Sequence, residues 1–514
     1  MMLFIKIVEL VQGSIMSKKI LIIGAGIAGL SAACYARMNG YEAEVYEMHD
    51  KPGGLCTSWK RKDYIIDGCI HWLVGSSPDS SFYKFWKEVS AINGRKMIYH
   101  EVFYRFIDSE GKTFNVYCDA DKLEKHLKQI SPEDSQTIET FCNLIRKFSR
   151  FKMPIEKPYE LYNFFDILKL IIKMMPYFKD MNFCNGITVG EFAQRFKNPF
   201  LREVFPKILS EKDYPLFSLV ITLASLHSKD GGFPEGGSLN FAKAIEQKSI
   251  SLGAKIFYKS KVERILEENG RAIGLQLSDG SKVFGDYIIS AADLKTTLYD
   301  MLSTKHIDPL HQELFQRCKL LSPMVQVAFG INRQFSSQIE SLGEFYKVSS
   351  LKDWNTDWLI VKNYSFDKSL AGPDKSVVLA GFSVDDYEYW EKLYLDKNAY
   401  KTEKEKIAST ISDELEKIYP GFKDAIEIID VATPVTYNRY TGNFKGTFMT
   451  WIITPDKQQK FRSIPKKVPN LDNFWLSGMW VQPPGGLPSA LMSSRQVIQF
   501  ICHKDKKKFC TSIK

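Results

Sequence analysis

The first regular pattern of hydrophobic and polar positions lies near the start of the chain. Ile20 to Ile23 form an uninterrupted apolar run, which is typical of a parallel strand buried on both faces. The alanine-rich stretch from Leu30 to Met38 predicts a helix, and Glu44 to Tyr46 predicts a second strand. The pattern therefore predicts a β-α-β unit with an acidic residue, Glu47, directly after its second strand.

Three glycines with the G-x-G-x-x-G spacing occupy the turn between this strand and helix. In this context the first glycine permits a tight turn, the second lets a pyrophosphate approach the backbone, and the third lets the helix pack on the sheet. The helix N-terminus offers N–H groups and a positive dipole end to phosphates, and an acid after the second strand can accept hydrogen bonds from ribose hydroxyls. A glycine-rich turn without a ligand is the alternative. We expect a dinucleotide site formed by Gly24, Gly26, Ile27, Ala28, Gly29 and Glu47.

Two stretches between the glycine-rich motifs mix helical and strand-like periods. In the first stretch we predict helices over 82–92, 119–130 and 132–151, with Ser131 as the N-cap of the last, and strands over 98–106 and 113–117. Further along we predict a helix over 239–253 and strands over 255–258, 262–266, 272–277 and 287–290. The second stretch predicts strands over 324–329 and 377–382 and a helix over 403–418, and a last strand and helix follow over 473–477 and 489–501.

The segment from Tyr159 to Phe183 is unusually rich in aromatic and aliphatic residues. Lys169, Lys173 and Lys179 interrupt it, so it is too charged and too short to span a bilayer. One interpretation is a helix that lines the core or a cavity. The other is a monotopic helix that faces a membrane and admits lipid-like substrates. We expect the first and keep the second open.

Composition places the chain among ordinary globular proteins, with 514 residues, 44% hydrophobic residues and a net charge of +9. The positive charge is spread thinly, so we predict no nucleic-acid partner, and we expect the Lys504 to Lys508 cluster to be a solvated tail, not a lipid-phosphate contact. The nine cysteines show no C-x-x-C pair, which argues for reduced thiols and against a disulfide framework or a zinc site. Residues 1–16 lack the features of a signal peptide; an added strand, a peripheral helix and an upstream start codon all stay open.

Motifs further along the chain indicate which dinucleotide is bound. Gly53-Gly54-Leu55 follows the predicted ribose acid, Ile66-Asp67-Gly68-Cys69-Ile70-His71 comes next, and Gly478 precedes Pro483-Pro484-Gly485-Gly486-Leu487 near the C-terminal end. In these motifs the chain resembles the FAD-dependent amine oxidase and phytoene desaturase superfamily, in particular bacterial phytoene desaturase-like, carotene isomerase-like and retinol saturase-like proteins. The resemblance extends from residue 18 to about residue 501. The second motif departs from the family's D-x-G segment, because its glycine comes one place early.

The resemblance implies an α/β fold. A Rossmann-type FAD-binding domain would be assembled from three separated segments, 17–75, 231–293 and 470–502, with an inserted α+β substrate domain from 76–230 and 294–469. Residues 1–16 would be an N-terminal extension and residues 503–514 a basic tail. It further implies that FAD is held without a covalent bond, with Val262 at the adenine, by a second set of residues: Gly53, Gly54, Leu55, Val262, Gly478, Gly485, Gly486 and Leu487.

The resemblance also implies a reaction at C–C bonds of an apolar, polyene or lipid-like substrate, of the desaturase, saturase or isomerase type. The 35 Phe, 24 Tyr and 9 Trp residues suit an apolar cavity. A flavin amine oxidase, with Lys445 and Trp451 near the ring, is one alternative, and an isomerase that uses reduced flavin without net redox change is another. His71 and Lys445 are the candidates for catalysis, although a packed histidine and an exposed lysine are commoner. We expect a cytoplasmic protein, with contact to the inner face of the membrane and the oligomeric state left open.

Overall fold

The computed structural model describes residues 17–302, 304–335, 341–458, 460–461 and 464–512, so the interpretations of residues 1–16 lie outside the described residues. The described strands, in chain order, are β1 (Lys19–Ile23), β2 (Glu42–Tyr46), β3 (Ser58–Arg61), β4 (Tyr64–Asp67), β5 (Met97–Ile98), β6 (Val102–Ile107), β7 (Thr113–Tyr117), β8 (Phe233–Pro234), β9 (Lys255–Phe257), β10 (Val262–Glu268), β11 (Arg271–Leu277), β12 (Lys282–Phe284), β13 (Tyr287–Ser290), β14 (Lys319–Leu320), β15 (Met324–Ile331), β16 (Ser341–Lys347), β17 (Trp358–Asn363), β18 (Ser376–Ser383), β19 (Ile426–Ala432), β20 (Trp451–Ile452) and β21 (Phe474–Leu476).

The α-helices of the described residues, in chain order, are α1 (Ile27–Met38), α2 (Tyr83–Glu88), α3 (Ala120–Ile130), α4 (Ser135–Phe148), α5 (Phe164–Met174), α6 (Phe178–Gly186), α7 (Val189–Ala193), α8 (Pro199–Val204), α9 (Leu216–His227), α10 (Gly237–Ser251), α11 (Leu294–Thr296), α12 (Pro309–Arg317), α13 (Tyr387–Leu395), α14 (Lys397–Ile418), α15 (Pro434–Thr441) and α16 (Leu487–Lys504). A π-helical turn follows α11 at Thr297–Met301, and short 3₁₀ turns connect several of the other elements.

A five-stranded parallel sheet unites strands that lie far apart in sequence. Its order is β21-β13-β1-β2-β9, and every neighbouring pair runs parallel. Ile20 and Ile22 of β1 enter a core shared with α1, α10 and α16, whereas Leu21 and Ile23 enter a second core on the opposite face. This double burial explains why β1 is an uninterrupted apolar run. The arrangement confirms the predicted α/β fold, while the predicted domain boundaries stay a prediction.

A seven-stranded mixed sheet forms the second layer. Its order is β19-β15-β18-β17-β16-β6-β7, with β16 and β6 parallel and the other neighbours antiparallel. One face packs on α13 and α14 through alternating residues such as Val325, Val327 and Phe329. The other face meets the β3–β4 hairpin, because a Cβ on Gly330 would overlap the ring of Tyr64. The two sheets are therefore joined where the chain leaves the first β-α-β unit.

The aromatic segment from Tyr159 to Phe183 is not one core helix: our first interpretation was wrong for residues 164–174, whereas Tyr177, Met181 and Phe183 pack against a hydrophobic cluster of the fold. It breaks into a 3₁₀ turn at Tyr159–Leu161, helix α5, a second 3₁₀ turn at Met175–Tyr177 that contains Pro176, and helix α6. No residue of α5 is buried. The predicted N-cap Ser131 does not cap α4 either: its hydroxyl donates to the carboxylate of Asp134 at 2.6 Å.

The backbone of the basic C-terminal segment is anchored to the fold, and whether its lysines are a solvated tail or contact lipid phosphates stays a prediction. Helix α16 ends only at Lys504, and the carboxylate of the next residue, Asp505, accepts hydrogen bonds from the phenols of Tyr41 at 2.9 Å and Tyr287 at 2.6 Å. Further on, the backbone N–H of Cys510 donates to the side chain of Asn39 at 2.7 Å. Lysines 506–508 are exposed, but the backbone that carries them is tied to the end of α1.

Candidate functional site

The carboxyl ends of three neighbouring parallel strands, β1, β13 and β21, meet at one end of the five-stranded sheet. Backbone hydrogen bonds join them there: Ala291 N–H donates to the carbonyl of Ile23 at 2.9 Å, and Ser477 N–H donates to the carbonyl of Ser290 at 2.8 Å. Gly24 turns the chain away from β1 with φ +92°, and its N–H donates to the carbonyl of Tyr46 at 2.8 Å. In open α/β sheets this end is where ligands bind.

The glycine turn leaves the N-terminus of α1 uncovered. A Cβ on Gly29 would overlap the carbonyl oxygen of Gly24, so only glycine lets the helix approach the turn this closely. A Cβ on Gly26 would meet only the carbonyl oxygen of Gly53, at 3.8 Å, so the space in front of that backbone is open. No side chain in the described part of the chain caps the helix at Gly26. The N–H groups around Ile27 and Ala28 thus have the setting that a pyrophosphate requires.

The carboxylate of Glu47 is fixed beside this turn. It accepts hydrogen bonds from the backbone N–H of Ala25 at 2.6 Å and of His49 at 2.9 Å, and the residue is only 7% exposed. The Ser260 N–H donates to the Glu47 carbonyl at 2.8 Å, which brings the buried Val262, at the start of β10, close to the same place. The structure therefore brings the predicted ribose acid and the predicted adenine contact together.

The second glycine pair returns the chain to the same turn. Gly53 N–H donates to the carbonyl of Ala25 at 2.9 Å, and a Cβ on Gly54 would lie 3.5 Å from the Cα of Gly26. Both glycines have positive φ, +112° and +58°, which favours glycine. Leu55 follows as a half-buried residue beside this turn. The predicted residues of the first segment thus form one continuous surface around the N-terminus of α1.

The third segment completes that surface. Gly478 N–H donates to the hydroxyl of Ser493 at 3.1 Å, while the hydroxyl of Ser494 donates to the carbonyl of Ala28 at 2.7 Å, so α16 is bound directly to the first turn of α1. Helix α16 begins at Leu487, and no side chain caps it at Gly486. Two uncapped helix N-termini therefore lie in one site.

Gly485 and Gly486 precede α16 with φ of +101° and +86°. Among the described residues, a Cβ on Gly486 would meet only Pro488 Cδ at 3.9 Å and Met449 Cε at 4.0 Å, so the rest of the described chain leaves the space beside it open. This open space, the uncapped helix ends and the buried acid fit a dinucleotide with a planar ring at its end. The residues that would hold FAD are those predicted from the sequence, and their contacts with it stay a prediction.

A polar cluster and an aromatic wall face this region from the seven-stranded sheet. The strand register puts Gly343 opposite Tyr104 in one row, and a Cβ on Gly343 would lie 3.3 Å from Lys362 Cγ and 3.2 Å from Tyr104 Cε1. A Cβ on Gly68 would lie 2.9 Å from Gln326 Oε1, so the segment that contains Gly68 packs over the same sheet face. Trp72, Phe103, Phe345, Phe448 and Met449 belong to the hydrophobic cluster around this row.

Burial controls the charges in this cluster. It lowers the pKa of the Lys362 ammonium to about 7, against the opposing effect of Asp67 and Cys69. Burial first, and the charge of Lys362 second, hold the pKa of His71 well below its usual value, so the imidazole is neutral. Burial raises the pKa of the Asp67 carboxyl to about 6, although the hydroxyl and N–H of Ser238 donate hydrogen bonds to it.

The two residues considered for an amine oxidase site lie elsewhere. Lys445 is at the surface, where its ammonium forms an ion pair with Glu388. Trp451 is buried in a different core, with its ring 4.9 Å from that of Phe315 and 5.3 Å from that of Trp480. We therefore remove Lys445 from the candidates for catalysis. His71 stays in the candidate site, with its Nδ1 buried and without a hydrogen-bond partner among the described residues.

Sequence reasoning missed four residues of this cluster: Lys362 and Gln326 in the sheet, Tyr364 directly after β17, and Tyr437 in α15. Lys362 is one lysine in an alternating strand, which reads as a solvent-facing position. Gln326 accepts a hydrogen bond from the phenol of Tyr437 at 2.8 Å across 111 positions of sequence, and no local pattern carries that contact.

Most of the chain matches a known family. Residues 27–499 match the model described as flavin containing amine oxidoreductase, and the protein belongs to this family. It is therefore an FAD-dependent oxidoreductase. Within the described part of the chain, no helix is long and apolar enough to cross a bilayer, and no three or more His, Cys, Asp or Glu residues are grouped as metal ligands.

The chain is also similar to individual curated proteins and to solved structures. The chain is 24% identical over 447 residues to prolycopene isomerase 1, chloroplastic, of an Oncidium hybrid cultivar, covering 83% of this chain and 74% of the relative. It is 24% identical over 516 residues to 4,4'-diaponeurosporene oxygenase of Staphylococcus aureus, covering 96% of this chain and 99% of the relative. Cyclohexylamine oxidase of Brevibacterium oxydans shares the fold, with a TM-score of 0.61, 13% identity and coverage of 96% and 100%.

Proposed function

We propose that the protein carries out desaturation, saturation or isomerisation at C–C bonds of a polyene or another lipid-like chain. The observation that carries this proposal is the aromatic wall at the Gly486 end of the cofactor site. Met449 reaches to 4.0 Å from the Cβ position of Gly486 and packs with Trp72 and Phe103 in one hydrophobic cluster. A long apolar chain fits such a wall. Relatives named for prolycopene and 4,4'-diaponeurosporene, both polyenes, support the same substrate class.

The chain's own residues bind, orient and exclude water. The uncapped N-terminus of α1 and the carboxylate of Glu47 would hold the pyrophosphate and ribose of FAD. The N-terminus of α16 begins beside Gly486 and would favour negative charge at that end of the site. When bound, FAD supplies hydride transfer. The aromatic wall around Trp72 and Phe103 would keep water from the reacting carbon atoms.

A flavin amine oxidase is the second candidate, and an isomerase that requires reduced flavin is the third. The shared fold with cyclohexylamine oxidase bears on the fold alone. Lys445 and Trp451, which motivated the amine oxidase interpretation, lie outside the candidate site. A neutral His71 and the apolar residues around Trp72 offer an amine no acidic partner, and the Asp67 carboxyl of the same cluster is already bound by the hydroxyl and N–H of Ser238. The polyene proposal is therefore the one we favour.

Anaerobic mixing of the FAD-loaded protein with two panels of compounds separates these candidates. One panel contains acyclic polyenes and retinoids, and the other contains primary and secondary amines. We expect a polyene either to bleach the flavin absorbance near 450 nm or to be converted once the flavin has been reduced. Conversion only with reduced flavin, without its net oxidation, identifies the isomerase. Bleaching by amines, with polyenes inert in both states, would overturn the proposal.

We further propose that α5 rests on a membrane surface and admits substrate from it. Its apolar side chains point into solvent: Phe164 is 73% exposed, Phe165 69%, Leu168 45%, Ile171 48%, Ile172 58% and, just beyond the helix, Met175 63%. At these spacings they form one helical stripe. Exposed lysines at positions 169, 173 and 179 lie beside the stripe and suit anionic lipid headgroups. An exposed apolar surface of this kind marks an interaction site, and the lysines favour a lipid surface over a second copy of the chain.

A further inference from the structure

Lys362 is a lysine inside the protein without a partner. Its ammonium makes no hydrogen bond or ion pair with any residue of the described chain, although it lies in β17, in the interior of the seven-stranded sheet. Lys375, which is also part-buried, is by contrast paired with Glu427 at 2.7 Å. A part-buried ammonium without a counter-ion among the described residues is available to pair with an anionic group of a ligand.

Two neighbouring polar groups are also without partners. Tyr364 follows Lys362 by two positions, and its phenol is buried without a hydrogen-bond partner among the described residues. The Nδ1 atom of His71 is also buried without a hydrogen-bond partner among the described residues, and the charge of Lys362 lowers the pKa of that imidazole. The three groups come from two segments almost 300 positions apart in sequence, at the junction of the two sheets.

A glycine and two aromatic rings border the stem of Lys362. Gly343 lies beside Lys362, and a Cβ there would press on Lys362 Cγ at 3.3 Å, so the glycine leaves the lysine stem its space. The aromatic rings of Phe103 and Tyr104, with centroids 4.1 Å apart, border the same row. The Asp67 carboxyl, which also acts on Lys362, is occupied by hydrogen bonds from the hydroxyl and N–H of Ser238. The cationic group, the phenol and the neutral imidazole in an aromatic wall match a molecule that is apolar along most of its length and carries one oxygen group.

We propose that Lys362, Tyr364 and His71 form a receptor for a carboxylate on the otherwise apolar substrate. This inference rests on the proposed function and deepens it: the substrate is an acid with a polyene or lipid-like chain, not a pure hydrocarbon. The Lys362 ammonium would pair with the carboxylate, and the Tyr364 phenol would donate a hydrogen bond to it. His71 contributes its neutral ring to the wall of the receptor and adds no competing charge.

Binding of three matched probes tests this receptor. Retinoic acid, retinol and the retinoid hydrocarbon of equal chain length are titrated into the FAD-loaded protein in detergent, and quenching of tryptophan fluorescence reports the Kd. Because hydrogen bonds to charged groups are among the strong ones, we expect the acid to bind at least tenfold more tightly than the hydrocarbon. Retinol falls between them.

Variants assign that preference to its residues. Lys362→Met should lower the affinity for the acid at least tenfold and leave the affinity for the hydrocarbon within about twofold of that of the unmodified protein. Lys362→Arg should retain a preference for the acid. Tyr364→Phe, which removes only a hydroxyl, should weaken binding of the acid several-fold. Lys352→Met, a change of the same chemistry at an exposed position, is the matched control. Circular dichroism and FAD content show that each variant is folded.

Three results would overturn the inference. Equal affinity for the acid and the hydrocarbon in the unmodified protein removes the receptor and leaves the proposed function standing. A Lys362→Met protein that keeps the preference, but shifts the flavin absorption spectrum without any ligand, reassigns the lysine to the cofactor. Failure of all three probes to bind would count against both the receptor and the proposed apolar substrate.

Discussion

The exposed stripe on α5 gives a prediction that depends on the structure alone. Replacing both Phe164 and Ile171 with glutamate puts two negative charges into the surface that we propose lies on lipid. Both side chains are largely solvent-exposed, at 73% and 48%, so the double variant should fold like the unmodified protein. It should, however, lose most of its affinity for liposomes that contain anionic lipid.

The magnitude follows from the exposed fractions. Complete burial of a side chain of this size stabilises by about 2.5 kcal/mol, and scaling by the two exposed fractions gives about 3 kcal/mol for the pair. That free energy corresponds to about a hundredfold in the partition coefficient. Repulsion between the new carboxylates and anionic headgroups adds to the loss, so a hundredfold decrease is the lower bound that we expect.

Sedimentation with liposomes of phosphatidylcholine and phosphatidylserine measures this partition. The matched control carries Phe284→Glu and Leu395→Glu, two exposed apolar residues outside the stripe that are 58% and 81% exposed, and it should bind like the unmodified protein. Equal loss in both double variants, or liposome binding that persists in the α5 variant, would refute the membrane contact. Loss of folding in the α5 variant alone would refute the exposed position of the helix. A change of oligomeric state with no liposome binding in the unmodified protein would assign the stripe to a second copy of the chain.

Three further predictions concern the cofactor site and its surroundings. Glu47→Ala should raise the Kd for FAD at least tenfold, because charge-assisted hydrogen bonds are lost, whereas Asp50→Ala should leave retention on gel filtration unchanged. Gly486→Leu should lower FAD content and turnover, because leucine is strained at a φ of +86° and its side chain would enter the open space of the site. Normal FAD content and normal turnover in this variant would disprove the placement of Gly486 beside the cofactor. Gly372→Leu, at a position with open space around it, is the control. Burial raises the pKa of Asp67 to about 6 in the folded protein, so the contribution of this carboxyl to stability is present below about pH 4 and lost as the pH rises through 6. In urea unfolding, the free energy of unfolding of Asp67→Asn should therefore lack that loss. An equal loss in the variant and in the unmodified protein would exclude Asp67 as its cause.

Short-range sequence patterns predicted the nucleotide-binding half of the fold. The apolar run of β1, the glycine turn and Glu47 obey short-range rules, and the structure shows the turn, the helix and the strand where those rules place them. The helix begins at Ile27, three residues before the predicted Leu30, because Gly29 and its neighbours already have helical geometry after the turn at Gly26. Sequence alone could not supply the backbone contacts that join the three segments, since these connect residues hundreds of positions apart.

Other features depended on tertiary context that no local pattern contains. Leucine, isoleucine and phenylalanine in α5 suggested burial, but no other part of the described chain buries that side of the helix, and composition does not reveal which face of a helix is covered. Lys445 looked suitable because of its position in the chain, and only the structure pairs it with Glu388 at the surface. Lys362 lies inside because its strand is central in a seven-stranded sheet, and strand order is not written in the strand itself.

The most direct test of the account is a mass measurement on a polyene after a single turnover. The FAD-loaded protein is mixed without oxygen with one equivalent of a polyene, once with oxidised and once with reduced flavin, and the products are resolved by chromatography and mass spectrometry. We predict conversion of the polyene in at least one arm, with loss of two hydrogens, gain of two hydrogens or a change of double-bond geometry at constant mass. Recovery of every tested polyene unchanged in both arms, while an amine is oxidised to its imine by the same preparation, would contradict the account.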